Sequence, residues 1–161
     1  SFLTSSFIET EDLFILDKSK EHASSIHEIS PNNIHTEAGK FISNADILIL
    51  AVKPQDFPAL AEQINSYIHA EQLVISIMAG IKIATIKKLT KASKIVRCMP
   101  NLPAQIGMSM TVFTSSPEID KKELFIIQNL INTTGKSVYV EDENMIDAAT
   151  AVCCGGPAYV Y

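Results

Sequence analysis

The chain has 161 residues, enough for one domain of ordinary size with a full hydrophobic core. Hydrophobic residues make up 47% and charged residues 19%, which describes a globular chain and excludes a disordered one. Thirteen basic against 18 acidic residues give a net charge of −5, and no basic run exceeds Lys87-Lys88 or Lys121-Lys122, so charge gives a nucleic-acid partner no support.

The longest apolar run, residues 47–52, is far too short to span a bilayer. The opening SFLTSSFIETEDLF has no cationic start and is expected not to be a leader. Three cysteines, Cys98, Cys153 and Cys154, suit a reducing compartment, and a cytoplasmic location is expected. The four histidines lie scattered, none four residues from another, so no metal site is expected.

In chain order, DLFIL (residues 12–16) is a continuous apolar run that suits a strand buried on both faces of a parallel sheet. Residues 21–29 suit a short helix that Pro31 breaks, and residues 34–36 an edge strand. DILILAV (46–52) is the strongest strand pattern and stops at Lys53-Pro54. Over 55–69 the period becomes helical, with Phe57, Leu60, Ala61, Ile64 and Ile68 on one stripe and Pro58 in the first turn. LVISI (73–77) is the next strand, Ile86 and Leu89 mark a short helix, and KIVRC (94–98) is a strand again. Strands and helices alternating with short links predict right-handed parallel crossovers, hence an α/β fold with a doubly wound, mostly parallel sheet.

After residue 107 the connection is too short for a helical crossover, so a strand over 108–114 is predicted to run antiparallel. Ser116-Pro117-Glu118 reads as N-cap, first-turn proline and early acid of a helix running to about Thr134, with Gly135 as its C′ residue. SVYV (137–140) is a last strand. From Glu141 a helix carries Met145, Ala148, Ala149 and Val152 on one face, an apolar stripe expected to stay unburied within this chain.

Polar or small residues gather at three strand ends: Ala51-Val52-Lys53-Pro54, Met78-Ala79-Gly80 and Met99-Pro100-Asn101. In a parallel sheet these lie along one edge, the edge where ligands bind. Ala79 and Gly80 let a flat ring approach the backbone. Two prolines, Pro100 and Pro103, stiffen the loop that presents the Asn101 amide. Asp17-Lys18-Ser19 ends an earlier strand, where dinucleotide sheets read the adenosine ribose. An acid favours the free 2′-hydroxyl of NAD and a hydroxyl with a cation the 2′-phosphate of NADP; this turn offers all three.

None of the six glycines forms GxGxxG, the turn that cradles a pyrophosphate after the first strand. The element order therefore makes residues 12–16 the second strand of such a sheet. The first strand and its loop are expected upstream of Ser1, with residues 1–8 the tail of the intervening helix.

AVKP (51–54), ISIMAGI (75–81), VRCMPNLP (96–103) and GGPAY (155–159), in this order and spacing, resemble the motifs of the pyrroline-5-carboxylate reductase family over nearly the whole chain. The resemblance implies a Rossmann-like NAD(P)-binding domain over residues 1–140. Residues 141–161 then begin an all-helical domain that builds a homodimer or higher homo-oligomer. It also implies NADP(H), with NAD(H) as the alternative, and pyrroline-5-carboxylate as a small-molecule substrate, reduced to proline. Ser19 would lie near the 2′-phosphate, and Ala51, Val52, Lys53, Pro54, Met78, Ala79 and Gly80 along the nicotinamide ribose and phosphates. Asn101 would stand near the nicotinamide and Glu143 near the substrate pocket, while catalytic groups are expected past Tyr161. These residues alone are therefore expected to be inactive.

The chain departs from the pattern at Leu102, where threonine is usual, at Ala38, where many members have asparagine, and at Cys153-Cys154, in place of Ser-Gly; Asp17 is also atypical. The competing readings are a non-catalytic dimerising or nucleotide-sensing module, and a related dehydrogenase with a helical dimer domain, which the paired MPNxP and GPAY motifs disfavour.

Overall fold

The structure, a computed structural model, describes residues 3, 5–19, 21–22, 25 and 29–155. Among the described residues seven strands form two sheets. Strands β1 (Ile15–Leu16) and β2 (Ile34–His35) pair in parallel. The larger sheet has the order β3 (Ile47–Leu50), β4 (Leu73–Ser76), β5 (Ile95–Met99), β6 (Ser109–Ser115), β7 (Gly135–Tyr139). β3, β4 and β5 are parallel, β6 is antiparallel to β5 as its short connection predicts, and β7 is parallel to β6.

Residues of β4 and β5 are buried along their whole length, and alternate side chains feed opposite faces. Val74 and Ile95 point into one core, with Leu50, Phe57, Ala61, Ile64 and Ile86. Leu73, Ile75, Val96 and Cys98 point into the other, with Phe113, Ile127, Leu130 and Ile131. Helices α2 (Phe57–Ile64) and α3 (Ile83–Leu89) thus cover one face and α4 (Lys121–Asn132) the other. A short α1 (Phe41–Asn44) precedes β3, and α5 (Asn144–Ala149) follows β7. This is the doubly wound arrangement expected from alternating elements.

Several boundaries differ from expectation. β1 covers only Ile15–Leu16, half-buried and not enclosed on both faces; Thr10–Asp12 forms a 3₁₀ turn and Phe14 is exposed, near the stacked rings of His35 and Phe41. The described residues among 1–8 lie in turns and bends, not in a helix tail. The helix expected over 21–29 lies largely outside the described residues. α2 stops at Ile64, but a turn in which the Ile68 N–H donates to the Ile64 carbonyl still buries Ile68, so the apolar stripe outlasts the helix.

α4 starts later than Ser116. Its N-cap is Asp120, in a capping box where Asp120 accepts from the Glu123 N–H at 2.8 Å and Glu123 accepts from the Asp120 N–H at 3.0 Å. Ser116 is taken by the sheet: its Oγ accepts from the Ile95 N–H at 3.0 Å and donates to the Ser93 carbonyl at 2.9 Å. Tertiary pairing outcompetes the local cap. Gly135 does not close α4 as a C′ residue; it opens β7 at φ 146°, where a Cβ would collide with the Ser109 backbone.

On α5 Ile146 is buried and Met145 and Ala148 are exposed, as is Val152 in the π-helical turn that follows, so the predicted stripe is largely uncovered in this chain.

Candidate active site

Leu50, Ser76 and Arg97 sit in register on adjacent parallel strands, so the strands end at one edge of the sheet, β5 two residues further on at Met99. The Ile77 N–H donates to the Leu50 carbonyl at 3.1 Å and extends the ladder by one rung. Beyond it Lys53 is exposed and Pro54–Asp56 makes a 3₁₀ turn into α2. After β4, Met78 is buried and its N–H donates to Ser76 Oγ at 3.3 Å, which turns the chain outward. Ala79 and Gly80 are then exposed; Gly80 lies at φ 72°, and nothing stands within 4 Å of where a side chain would begin. That open turn is backbone another molecule can approach closely.

After β5, Asn101 is tied to β6. Its Oδ1 accepts from the Met110 N–H at 3.1 Å and from Ser109 Oγ at 3.0 Å. A backbone N–H can only donate, so Oδ1 faces the strand and the Asn101 amide donors point elsewhere. The Pro100–Pro103 loop is thus fixed by the residue it presents. Leu102, at the position of the usual threonine, is 77% exposed, as are Ile106 and Met108 nearby at 73% and 72%.

Asp17 Oδ1 accepts from the Ser19 N–H at 2.8 Å, an Asx turn. Ser19 Oγ accepts from the His22 N–H at 3.2 Å. Lys18 lies 3.4 Å from Asp56, which joins this turn to the end of β3. The Asp17–Ser19 turn and the AVKP loop are therefore neighbours.

Glu143 is placed differently. Its Oε1 accepts from the Ile83 N–H at 2.8 Å, the first residue of α3, and from Arg97 Nη1 at 3.2 Å. Arg97 Nη2 pairs with Asp147 on α5. Arg97 has no exposed surface, and its Nε has no hydrogen-bond partner. The role of Arg97 escaped sequence reasoning, although a lone arginine inside an otherwise apolar strand, KIVRC, is itself the signal: a buried guanidinium needs carboxylates.

An open hollow of about 400 Å³ lies at the starts of β6 and β7, lined by residues including Met108, Met110, Asn132 and Lys136. It is on the same edge but beside the Asn101 loop, not over Gly80. Among the described residues no helix is long and apolar enough to cross a membrane. The GGPAY motif lies outside the described residues, apart from Gly155, which ends a π-helical turn.

A doubly wound sheet with three open strand ends on one edge, one of them a positive-φ glycine turn, defines a Rossmann-like α/β protein, a class in which ligands bind outside the carboxyl ends of the strands. The family model described as "NADP oxidoreductase coenzyme F420-dependent" matches residues 2–80. Pyrroline-5-carboxylate reductase 2 of Bacillus subtilis is 35% identical over 99% of this chain and 57% of that protein. Two solved structures superpose over most of the chain. One is the Plasmodium falciparum pyrroline carboxylate reductase with NADP bound, with TM-score 0.82, 27% identity and coverage of 99% of this chain and 58% of that one. The other is the Coxiella burnetii pyrroline-5-carboxylate reductase, with TM-score 0.84, 26% identity and coverage of 98% and 59%. The chain is similar to pyrroline-5-carboxylate reductases over nearly its whole length. It spans somewhat more than half the length of the relatives it matches, 57% of the Bacillus protein.

Proposed function

We propose that the protein reduces 1-pyrroline-5-carboxylate to L-proline, the last step of proline biosynthesis, with NADPH as the hydride donor. The observation that carries this is the open Ala79-Gly80 turn beside the exposed AVKP loop and the fixed Asn101 amide, in a fold shared at 27% identity with a reductase that has NADP bound. The space above Gly80 fits the nicotinamide half of a dinucleotide. Lys53, exposed at the next strand end, supplies a cation toward its phosphates. The Asp17–Ser19 turn is assigned to the adenosine ribose, where the Lys18 cation and the Ser19 hydroxyl suit a 2′-phosphate.

NADPH supplies hydride to C5 of the cyclic imine. The chain's own task is to orient that transfer. Gly80 permits close approach of the ring, and the Asn101 Nδ2 donors stand on a loop stiffened by Pro100 and Pro103. The imine nitrogen needs a proton and the substrate carboxylate needs donors, which we assign to groups past Tyr161. The pyrophosphate needs a glycine-rich turn that these residues do not contain. These 161 residues alone are therefore expected to turn over poorly. We further propose a cytoplasmic enzyme that assembles as a homo-oligomer through the exposed face of α5, with neither nucleic acid nor membrane as partner.

Turnover decides the matter. The complete protein with pyrroline-5-carboxylate and NADPH should produce L-proline, detected by mass, in step with loss of absorbance at 340 nm. Binding of both compounds without proline formation would overturn the assignment and favour a non-catalytic role.

A further inference from the structure

We propose that Glu143 is a coupling strut that ties the cofactor turn of β4 to helix α5, with Arg97 as its buried anchor. The proposal rests on the reading of the Ala79-Gly80 turn as part of a dinucleotide site. Three elements meet at one carboxylate oxygen. Glu143 Oε1 takes the N–H of Ile83, three residues beyond Gly80, at 2.8 Å, and the guanidinium of Arg97, on the central strand, at 3.2 Å. A second contact repeats the link: Lys82 Nζ reaches Asn144 Oδ1 at 3.4 Å. Asp147, one turn along α5, holds the other end of the same guanidinium.

A shift of the β4 turn on loading therefore moves the Ile83 N–H. Glu143 must then follow it or release it, and α5 must follow Glu143. Arg97, fully enclosed in β5, is the fixed point against which that movement is transmitted. A buried ion pair is a weak stabiliser, so the worth of this joint lies in the geometry it holds. Glu143 and Arg97 are thus positioning residues. They set how the residues after α5 sit relative to the nicotinamide.

Hydrogen–deuterium exchange of the complete protein with and without saturating NADPH tests the idea. In the wild type, NADPH should slow exchange at Gly80 and Ile83 and also, by about fivefold or more, at Asp147, Ala148 and Ala149. Glu143→Ala should keep the Gly80 protection but lose that on α5, with NADPH affinity weakened by about 5- to 150-fold. Glu143→Gln, whose amide oxygen can still accept from Ile83 and Arg97, should restore the α5 response. Arg97→Lys, which keeps the charge without the fork, should weaken it. Undiminished α5 protection in Glu143→Ala, or in Arg97→Lys should Glu143→Ala not fold, overturns the coupling. Protection of Gly80 without any α5 response in the wild type also overturns it, while leaving the proposed function intact. No protection at Gly80 removes the cofactor reading and the coupling together.

Discussion

Under the proposed function Asn101 has two separable jobs, and two substitutions divide them. Its Oδ1 accepts from the Met110 N–H at 3.1 Å and from the buried Ser109 hydroxyl at 3.0 Å, while its Nδ2 donors are left for the site. Asn101→Ala removes both acceptor contacts, each worth about 0.5–1.5 kcal/mol net. Ser109 Oγ keeps Thr111 Oγ1 at 3.1 Å, and the exposed Met110 N–H can turn to water, so the loss falls in the lower range, about 1–2 kcal/mol. At about 2–4 °C per kcal/mol for a chain of this size, the melting temperature should drop by several degrees. Asn101→Asp keeps an oxygen for both donors but exchanges the amide N–H groups for a charge. Its melting temperature should stay within about 2 °C of the wild type, while kcat/KM with NADPH and pyrroline-5-carboxylate falls at least tenfold. Calorimetry and steady-state kinetics on the same preparations read the two effects. An aspartate variant as unstable as the alanine variant, or an alanine variant as stable as the wild type, would refute the division of labour.

Gly135→Ala should cost about 3 kcal/mol or more in urea unfolding, because φ 146° is foreign to alanine and its Cβ would strike the Ser109 backbone; a cost below about 1 kcal/mol contradicts the close approach. Cys98 is buried on β5 and burial pushes its thiol pKa up, so iodoacetamide at pH 8 should leave the Cys98 peptide unmodified until the protein unfolds, as peptide mass analysis would reveal. The hydrogen bond from Lys87 holds Glu118 below the ordinary glutamate value. A depressed carboxyl stabilises the fold above its unfolded pKa of about 4.3, and that contribution fades as pH falls through the lower folded value. Glu118→Gln should therefore lower stability slightly at pH 7 and make no difference near pH 2; equal effects at both pH values would exclude the pairing. Both partners are partly exposed, so the effect should shrink in high salt.

Much of the fold was legible because its signals are local or periodic. DILILAV, LVISI and KIVRC carry uninterrupted apolarity, and the stripe from Phe57 to Ile68 carries the helical period. The antiparallel turn into β6 followed from connection length alone. What failed was decided by distant partners. Ser116 has the chemistry of a cap, yet Ile95 and Ser93 claim its hydroxyl, and the Asp120/Glu123 box, beginning four residues on, takes the helix start. Gly135 looked like a helix stop because its contact with Ser109 is invisible in sequence. The strand-end residues were readable from position, but not that Asn101 would spend its oxygen on β6 or Glu143 its carboxylate on Arg97 and α3. Polar side chains choose partners across the fold, and no pattern of neighbours in the chain reveals them.

The central claim is that the dinucleotide lies along the ends of β3, β4 and β5. Backbone amide chemical shifts of the complete protein, recorded through an NADPH titration, test it most directly. The account predicts saturable shifts at Val52, Lys53, Ala79, Gly80 and Asn101. Shifts confined to Met108, Met110 and Lys136 around the hollow beside β7, with the strand ends unmoved, would contradict it.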